Sequence, residues 1–143
     1  MYPVMINIKD KRVVMIGGGR VALRKLKTLL KEGARVTVIS PEIHPGIPIE
    51  EIEWLSRPYQ KGDLEGAKLV LTCTDDQDVN NQVMADAVPS QLVNNTGDKY
   101  YSDFYNVAIA QASDFSVMIS TNGLSAVRAK EVRSKLEKFL ELL

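Results

Sequence analysis

The stretch VVMIGGGRVALRKLKTLLKEGARVTVIS, residues 13–40, decides the fold. RVVMI (12–16) is a short β-rich apolar run, suited to a strand buried on both faces. Three glycines follow it. From Arg20 to Glu32 the apolar residues Val21, Ala22, Leu26, Leu29 and Leu30 recur at helical spacing. Arg20, Arg24, Lys25, Lys27 and Lys31 mostly take the other face. Gly33 fits the position just past a helix C-terminus. RVTVIS (35–40) is a second buried strand, which Pro41 stops. The spacing predicts one right-handed βαβ unit.

Gly17-x-Gly19-x-x-Ala22 matches a dinucleotide-binding turn with alanine in the third place. The first glycine makes the tight turn, the second leaves room for a pyrophosphate, and the small third residue lets helix and strand pack closely. The helix N-terminus then offers free N–H groups to phosphate. The alternative is a tight structural turn without a ligand. Gly17, Gly18, Gly19, Arg20, Val21 and Ala22 are thus candidate cofactor-binding residues. The acidic residue that usually ends the second strand is missing; Ser40 stands there, with Pro41 and Glu42 after it. No arginine follows immediately to hold a 2′-phosphate, so the expected cofactor is NAD rather than NADP. Thr72, Thr74 and Asp75, near the end of a later strand, and Asn94, near the end of the next, complete the cofactor set. Asp75 and Asp76 are equally suited to capping a helix.

Beyond residue 40 the pattern continues as an α/β chain. IEWLSR (52–57) alternates as an outer strand, KLVLTCT (68–74) is another buried strand, DDQDVNNQVMADAV (75–88) is a helix, and QLVNN (91–95) is a fifth strand. Strands alternating with helices predict a Rossmann-like, doubly wound parallel sheet. After about residue 97 the rhythm changes. DFYNVAIAQ (103–111) and DFSVMIST (114–121) read as a β-hairpin, and residues 122–143 as a long charged amphipathic helix. We therefore expect a dinucleotide-binding domain over 1–97 and a dimerisation and substrate segment over 98–143. A hairpin and one helix are too small to bury themselves.

Bulk composition narrows the class. Eighteen basic residues balance eighteen acidic ones among 143, which argues against a dedicated nucleic-acid binder. One cysteine, Cys73, and one histidine, His44, leave no disulfide and no zinc-type cluster, so no metal site is expected. Cys73 fits a small buried apolar residue and His44 an exposed loop. The first twelve residues lack the features of a signal peptide, and no apolar run is long enough to span a bilayer. A soluble cytoplasmic protein is expected.

Four blocks taken together are more specific than the glycine turn. VMIGGGRVALRKLKTLLKEGARVTVISPE, DLEGAKLVLTCTDDQDVN, LVNNTGDKYYSDFYNVAIAQ and VMISTNGLSAVRAKEVRSKLE resemble, in order and spacing, the siroheme synthase family of precorrin-2 dehydrogenases and sirohydrochlorin ferrochelatases. The resemblance covers nearly the whole chain. It implies NAD-dependent oxidation of the tetrapyrrole precorrin-2 to sirohydrochlorin, in siroheme and porphyrin biosynthesis, by a homodimer. It also implies an essential aspartate three residues past Asn94. That place holds Gly97, which argues against iron chelation; Asp98 is next and is either the catalytic carboxylate or a turn residue. The family's Ser/Thr-rich stretch corresponds to Ser120, Thr121, Asn122 and Ser125, candidate substrate-binding residues, although Thr121 or Asn122 could instead cap the last helix. Arg128, Lys130 and Arg133 suit a substrate rich in carboxylates, or equally a solvated helix face. Many members continue into a helical domain where this chain stops at Leu143, so a short form is expected, with a non-catalytic NAD- or tetrapyrrole-binding module as the alternative.

Overall fold

The computed structural model describes residues 1–143, which divide into two compact units, Tyr2–Phe104 and Tyr105–Leu143, the latter joined by Met1. The first unit is built on five strands: β1 (Arg12–Ile16), β2 (Arg35–Ile39), β3 (Glu53–Leu55), β4 (Leu69–Thr72) and β5 (Leu92–Asn95). All pair in parallel, in the order β3-β2-β1-β4-β5. The order reverses between β1 and β4, and crevices for ligands open at the carboxyl ends of strands at such a point.

Two apolar layers hold this sheet. Val13, Met15, Val36, Val38, Leu69 and Leu71 face α1 (Arg20–Lys31), which contributes Ala22, Leu26 and Leu29. Val14, Ile16, Ile39, Val70 and Val93 face the other way, against Val83 of α2 (Gln77–Asp86) and Leu64 and Ala67 of the β3–β4 connection. Both faces of the sheet are therefore covered, which is why its strands are continuous apolar runs. The β3–β4 connection contains no α-helix; it is a chain of turns clamped by the Arg57–Asp63 ion pair at 2.8 Å, with a second bond from Arg57 Nη2 to Asp63 Oδ1 at 2.9 Å. Gly33 takes φ +81° just past α1, as its position predicts.

The segment after β5 differs from its sequence expectation. Residues 103–107 are not a strand. Asp103 donates its N–H to the Val93 carbonyl at 2.8 Å and accepts from Val93 N–H through Oδ2 at 2.9 Å. Ser102 Oγ accepts from Asn95 N–H at 2.9 Å. Two side chains thus satisfy the free edge of β5, and the residues up to Phe104 stay with the sheet. Sequence pattern cannot show this, because it records apolar spacing and not unpaired backbone groups.

The second unit is an antiparallel hairpin, β6 (Ala108–Gln111) and β7 (Ser116–Ile119), with α3 (Ala126–Leu140) packed on β6. Ala110, Ala129 and Leu140 are its buried apolar residues. The cap of α3 is Ser125, whose hydroxyl accepts from Arg128 N–H at 3.0 Å. This corrects the expectation for Thr121 and Asn122: Thr121 Oγ1 instead accepts from Ser125 N–H at 2.9 Å, and Asn122 occupies the turn before the helix at φ +55°.

Candidate functional site

The three glycines meet three different surroundings. Gly17 has φ +105°, and a Cβ there would lie 2.6 Å from the Cys73 carbonyl oxygen. Gly18 lies under the loop after β2: a Cβ would stand 2.5 Å from Ile43 Cγ2, and His44 N–H donates to the Gly18 carbonyl at 2.6 Å. Around Gly19 the space is open, with nothing within 4 Å of a Cβ. Gly19 is also the N-cap of α1 and supplies no side-chain hydrogen bond. The other two α-helices differ: Asp76 accepts from Asp78 and Val79 N–H at the start of α2, and Ser125 caps α3. The first turn of α1 therefore keeps its backbone donors for something outside the chain, beside a backbone that no side chain shields. A pyrophosphate fits these features. Ala22 is fully buried, as close helix–sheet packing requires, while Arg20 and Val21 are exposed on the first turn.

Ser40, just past β2, is half-buried. Its hydroxyl donates to the Glu42 carbonyl at 2.6 Å, and its carbonyl accepts from Trp54 Nε1 at 2.9 Å. These bonds, with Ser56 Oγ donating to the Pro41 carbonyl at 3.1 Å, fold the loop back over Gly18. Glu42 and Ile43 thereby lie beside the glycine turn, a proximity sequence spacing does not reveal.

At the other end of the crevice, Thr72 is wholly buried and used internally: its hydroxyl donates to Asn95 Oδ1 at 3.3 Å and accepts from Thr96 N–H at 3.2 Å. Thr74 Oγ1 accepts from Asp76 N–H at 2.7 Å, and Asn80 Nδ2 donates to the Thr74 carbonyl at 3.0 Å. Asp75 is exposed between them, and Asp76 is the α2 cap. Asn94 is buried, with no acceptor for its Nδ2. Gly97 is hemmed in: a Cβ would approach Gln77 Oε1 to 2.8 Å and Asn80 Nδ2 to 2.9 Å. Asp98 turns its carboxylate onto its own loop, accepting through Oδ1 from Tyr100 N–H at 2.9 Å and Tyr101 N–H at 3.2 Å.

Lys25 departs from the solvent-facing pattern of the other α1 cations. It is half-buried, and burial lowers its pKa. Burial pushes the Cys73 thiol up to about 11, so it remains protonated near neutrality. In the second unit, Ser120, Thr121, Asn122 and Ser125 sit together on the turn between β7 and α3, with Ser120 Oγ accepting from Asn122 N–H at 3.0 Å. Ser120 Oγ also lies 3.2 Å from Tyr105 Oη.

The parallel sheet, its strand order and the uncapped glycine turn define a dinucleotide-binding α/β protein. Comparison with known proteins is consistent with this class. Residues 4–108 match the family described as "Putative NAD(P)-binding". Precorrin-2 dehydrogenase of Bacillus subtilis is 36% identical over 99% of this chain and 90% of its own length. Siroheme synthase of Thioalkalivibrio sulfidiphilus is 35% identical, and this chain spans 29% of its length. The solved structure of "SirC, precorrin-2 dehydrogenase" superposes with a TM-score of 0.87 at 29% identity, covering 99% of this chain and 74% of that one. The chain belongs to the family of the precorrin-2 dehydrogenases and siroheme synthases. No helix is long and apolar enough to cross a membrane.

Proposed function

We propose that this protein oxidises precorrin-2 to sirohydrochlorin with NAD as the acceptor. The observation that carries the proposal is the uncapped N-terminus of α1, open beside Gly19. Gly17, Gly18 and Gly19 with Arg20, Val21 and Ala22 hold the pyrophosphate. Ser40 takes the adenosine ribose, its oxygen still able to accept a hydrogen bond. No cation immediately follows β2 to attract a 2′-phosphate, which supports NAD over NADP. Thr72, Thr74, Asp75 and Asn94 form the nicotinamide end, Thr72 by fixing Asn95 and Thr96. When bound, the cofactor accepts a hydride; the substrate also loses a proton. Asp98 is the proposed base, its carboxylate held by two backbone donors. Ser120, Thr121, Asn122 and Ser125 offer hydroxyl and amide groups to the carboxylates of the tetrapyrrole. Exposed Ile109, Phe115, Met118, Val127 and Phe139 supply the apolar face of a homodimer, so residues 98–143 serve dimerisation and substrate. A cytoplasmic location suits a chain with one unpaired thiol.

Anaerobic conversion of precorrin-2, followed by absorbance with and without NAD, tests this. Sirohydrochlorin forms only with NAD, and Asp98→Asn lowers the rate about 100-fold or more while NAD binding persists. Turnover indifferent to NAD would overturn the proposal.

Gly97 favours a second reading, a module that binds without catalysing. A side chain there would have to displace the Gln77 and Asn80 amides, and the next residue, Asp98, is engaged in its own turn. NAD binding with no turnover by the isolated chain would favour it.

A further inference from the structure

β5 ends in two asparagines that point to opposite faces of the sheet, because side chains alternate along a strand. Asn95 is tied into the loop beyond the strand: its Oδ1 accepts from Thr72 Oγ1 at 3.3 Å and from Gly97 N–H at 3.1 Å, while its Nδ2, like that of Asn94, has no acceptor. Asn94 stands opposite Leu71 in the β4–β5 ladder. Leu71 belongs to the apolar layer under α1, onto which half-buried Cys73 and Phe104 also pack. Asn94 is 4% exposed, and its Nδ2 is closed off from solvent with no acceptor. An aliphatic residue is what such a sheet ordinarily places here. A buried amide N–H left unpaired costs stability that leucine would not.

The position explains why the cost is tolerated. β1 runs into Gly17, β4 lies beside β1, and β5 lies beside β4. The Cys73 carbonyl, one residue past β4, closes against Gly17. Asn94 therefore lies in the half of the sheet where a dinucleotide, anchored by its pyrophosphate at α1, places its second base. A primary amide is complementary to another primary amide, each offering one donor and one acceptor.

We infer that Asn94 recognises the carboxamide of the nicotinamide, Nδ2 donating to its oxygen and Oδ1 accepting from its NH2. This rests on the dinucleotide-binding reading of the same site and gives one residue the task of selecting the base. Ser40 and the glycine turn select the other half of the molecule.

Calorimetric titration of the full chain and of Asn94→Leu tests the inference with three ligands. These are NAD, its 3-acetylpyridine analogue, in which a methyl replaces the amide NH2, and ADP-ribose, which lacks the pyridine ring. The parent chain binds NAD about tenfold more tightly than the analogue, the worth of one hydrogen bond. Asn94→Leu loses that preference and binds NAD at least about tenfold more weakly, yet binds ADP-ribose as the parent does. Without ligand it melts at the same or a higher temperature, the reverse of losing a structural asparagine. Asn94→Ala, read by the same ratio, serves if leucine prevents folding. A variant that keeps the NAD preference, or a parent that never had one, overturns the inference while ADP-ribose binding leaves the dinucleotide site standing. Failure of the parent to bind ADP-ribose overturns both.

Discussion

A methyl group at Gly17 would enter the Cys73 carbonyl, whereas at Gly19 it would touch nothing. Gly17→Ala also forces φ +105° on a residue with a Cβ, about 1–3 kcal/mol of strain before the clash is counted. It should lower the urea midpoint of the unliganded protein. Gly19 has φ −88°, which any residue adopts. Gly19→Asp should therefore fold, and its carboxylate supplies the cap α1 lacks, worth roughly a few tenths of a kcal/mol over glycine. The same negative charge repels a pyrophosphate, so NAD binding falls as the melting temperature rises. A loss of stability with unchanged NAD binding would show that the glycine serves the turn alone. Both glycines were legible from the motif. The crowding of Gly18, also a cofactor candidate, was not, because it comes from Ile43, 25 residues away along the chain.

Among the elements, each helix start is a separate chemical decision. Asp76 holds two N–H groups of α2, at 3.0 Å and 3.2 Å. Asp76→Ala should cost about 1 kcal/mol, measured by denaturant unfolding, with NAD affinity little changed. Sequence placed that cap correctly, since aspartate before a helical run is a local signal. It placed the start of α3 too early and extended the sixth strand back to residue 103. Both errors arise from side chains acting on distant or competing backbone. Ser125 outcompetes Thr121 and Asn122 because Thr121 is already bonded to Ser125 N–H. Asp103 completes the edge of β5 instead of entering the hairpin.

For the whole molecule, acidity and association are the informative variables. The Arg57 guanidinium holds the Asp63 carboxyl below its ordinary 3.8. A carboxylate whose folded pKa lies below its unfolded one adds stability fully present above the unfolded value and lost as pH falls through the folded one. Unfolding midpoints should therefore drop below about pH 4, and Asp63→Asn should flatten that acid limb. An unchanged pH profile would deny the β3–β4 clamp a role in stability. The proposed homodimer predicts that Phe139→Glu, on the exposed face of α3, shifts the chain from dimer to monomer by light scattering. A monomeric parent chain would refute the dimer.

The sequence by itself determined the βαβ opening, the parallel sheet, the glycine turn and the family, because these depend on residue type at short, regular spacing. The tertiary structure decided which backbone groups remain unpaired. Only the packed sheet shows that α1 starts without a cap, that Lys25 is drawn inward beside Cys73, that a side chain at Gly97 would displace the Gln77 and Asn80 amides, and that the Asn94 Nδ2 is buried without an acceptor. Those facts depend on elements brought together from distant parts of the chain, and burial gives an unpaired polar group its energetic cost. The pattern along one strand records which side chain is present but not what stands opposite it.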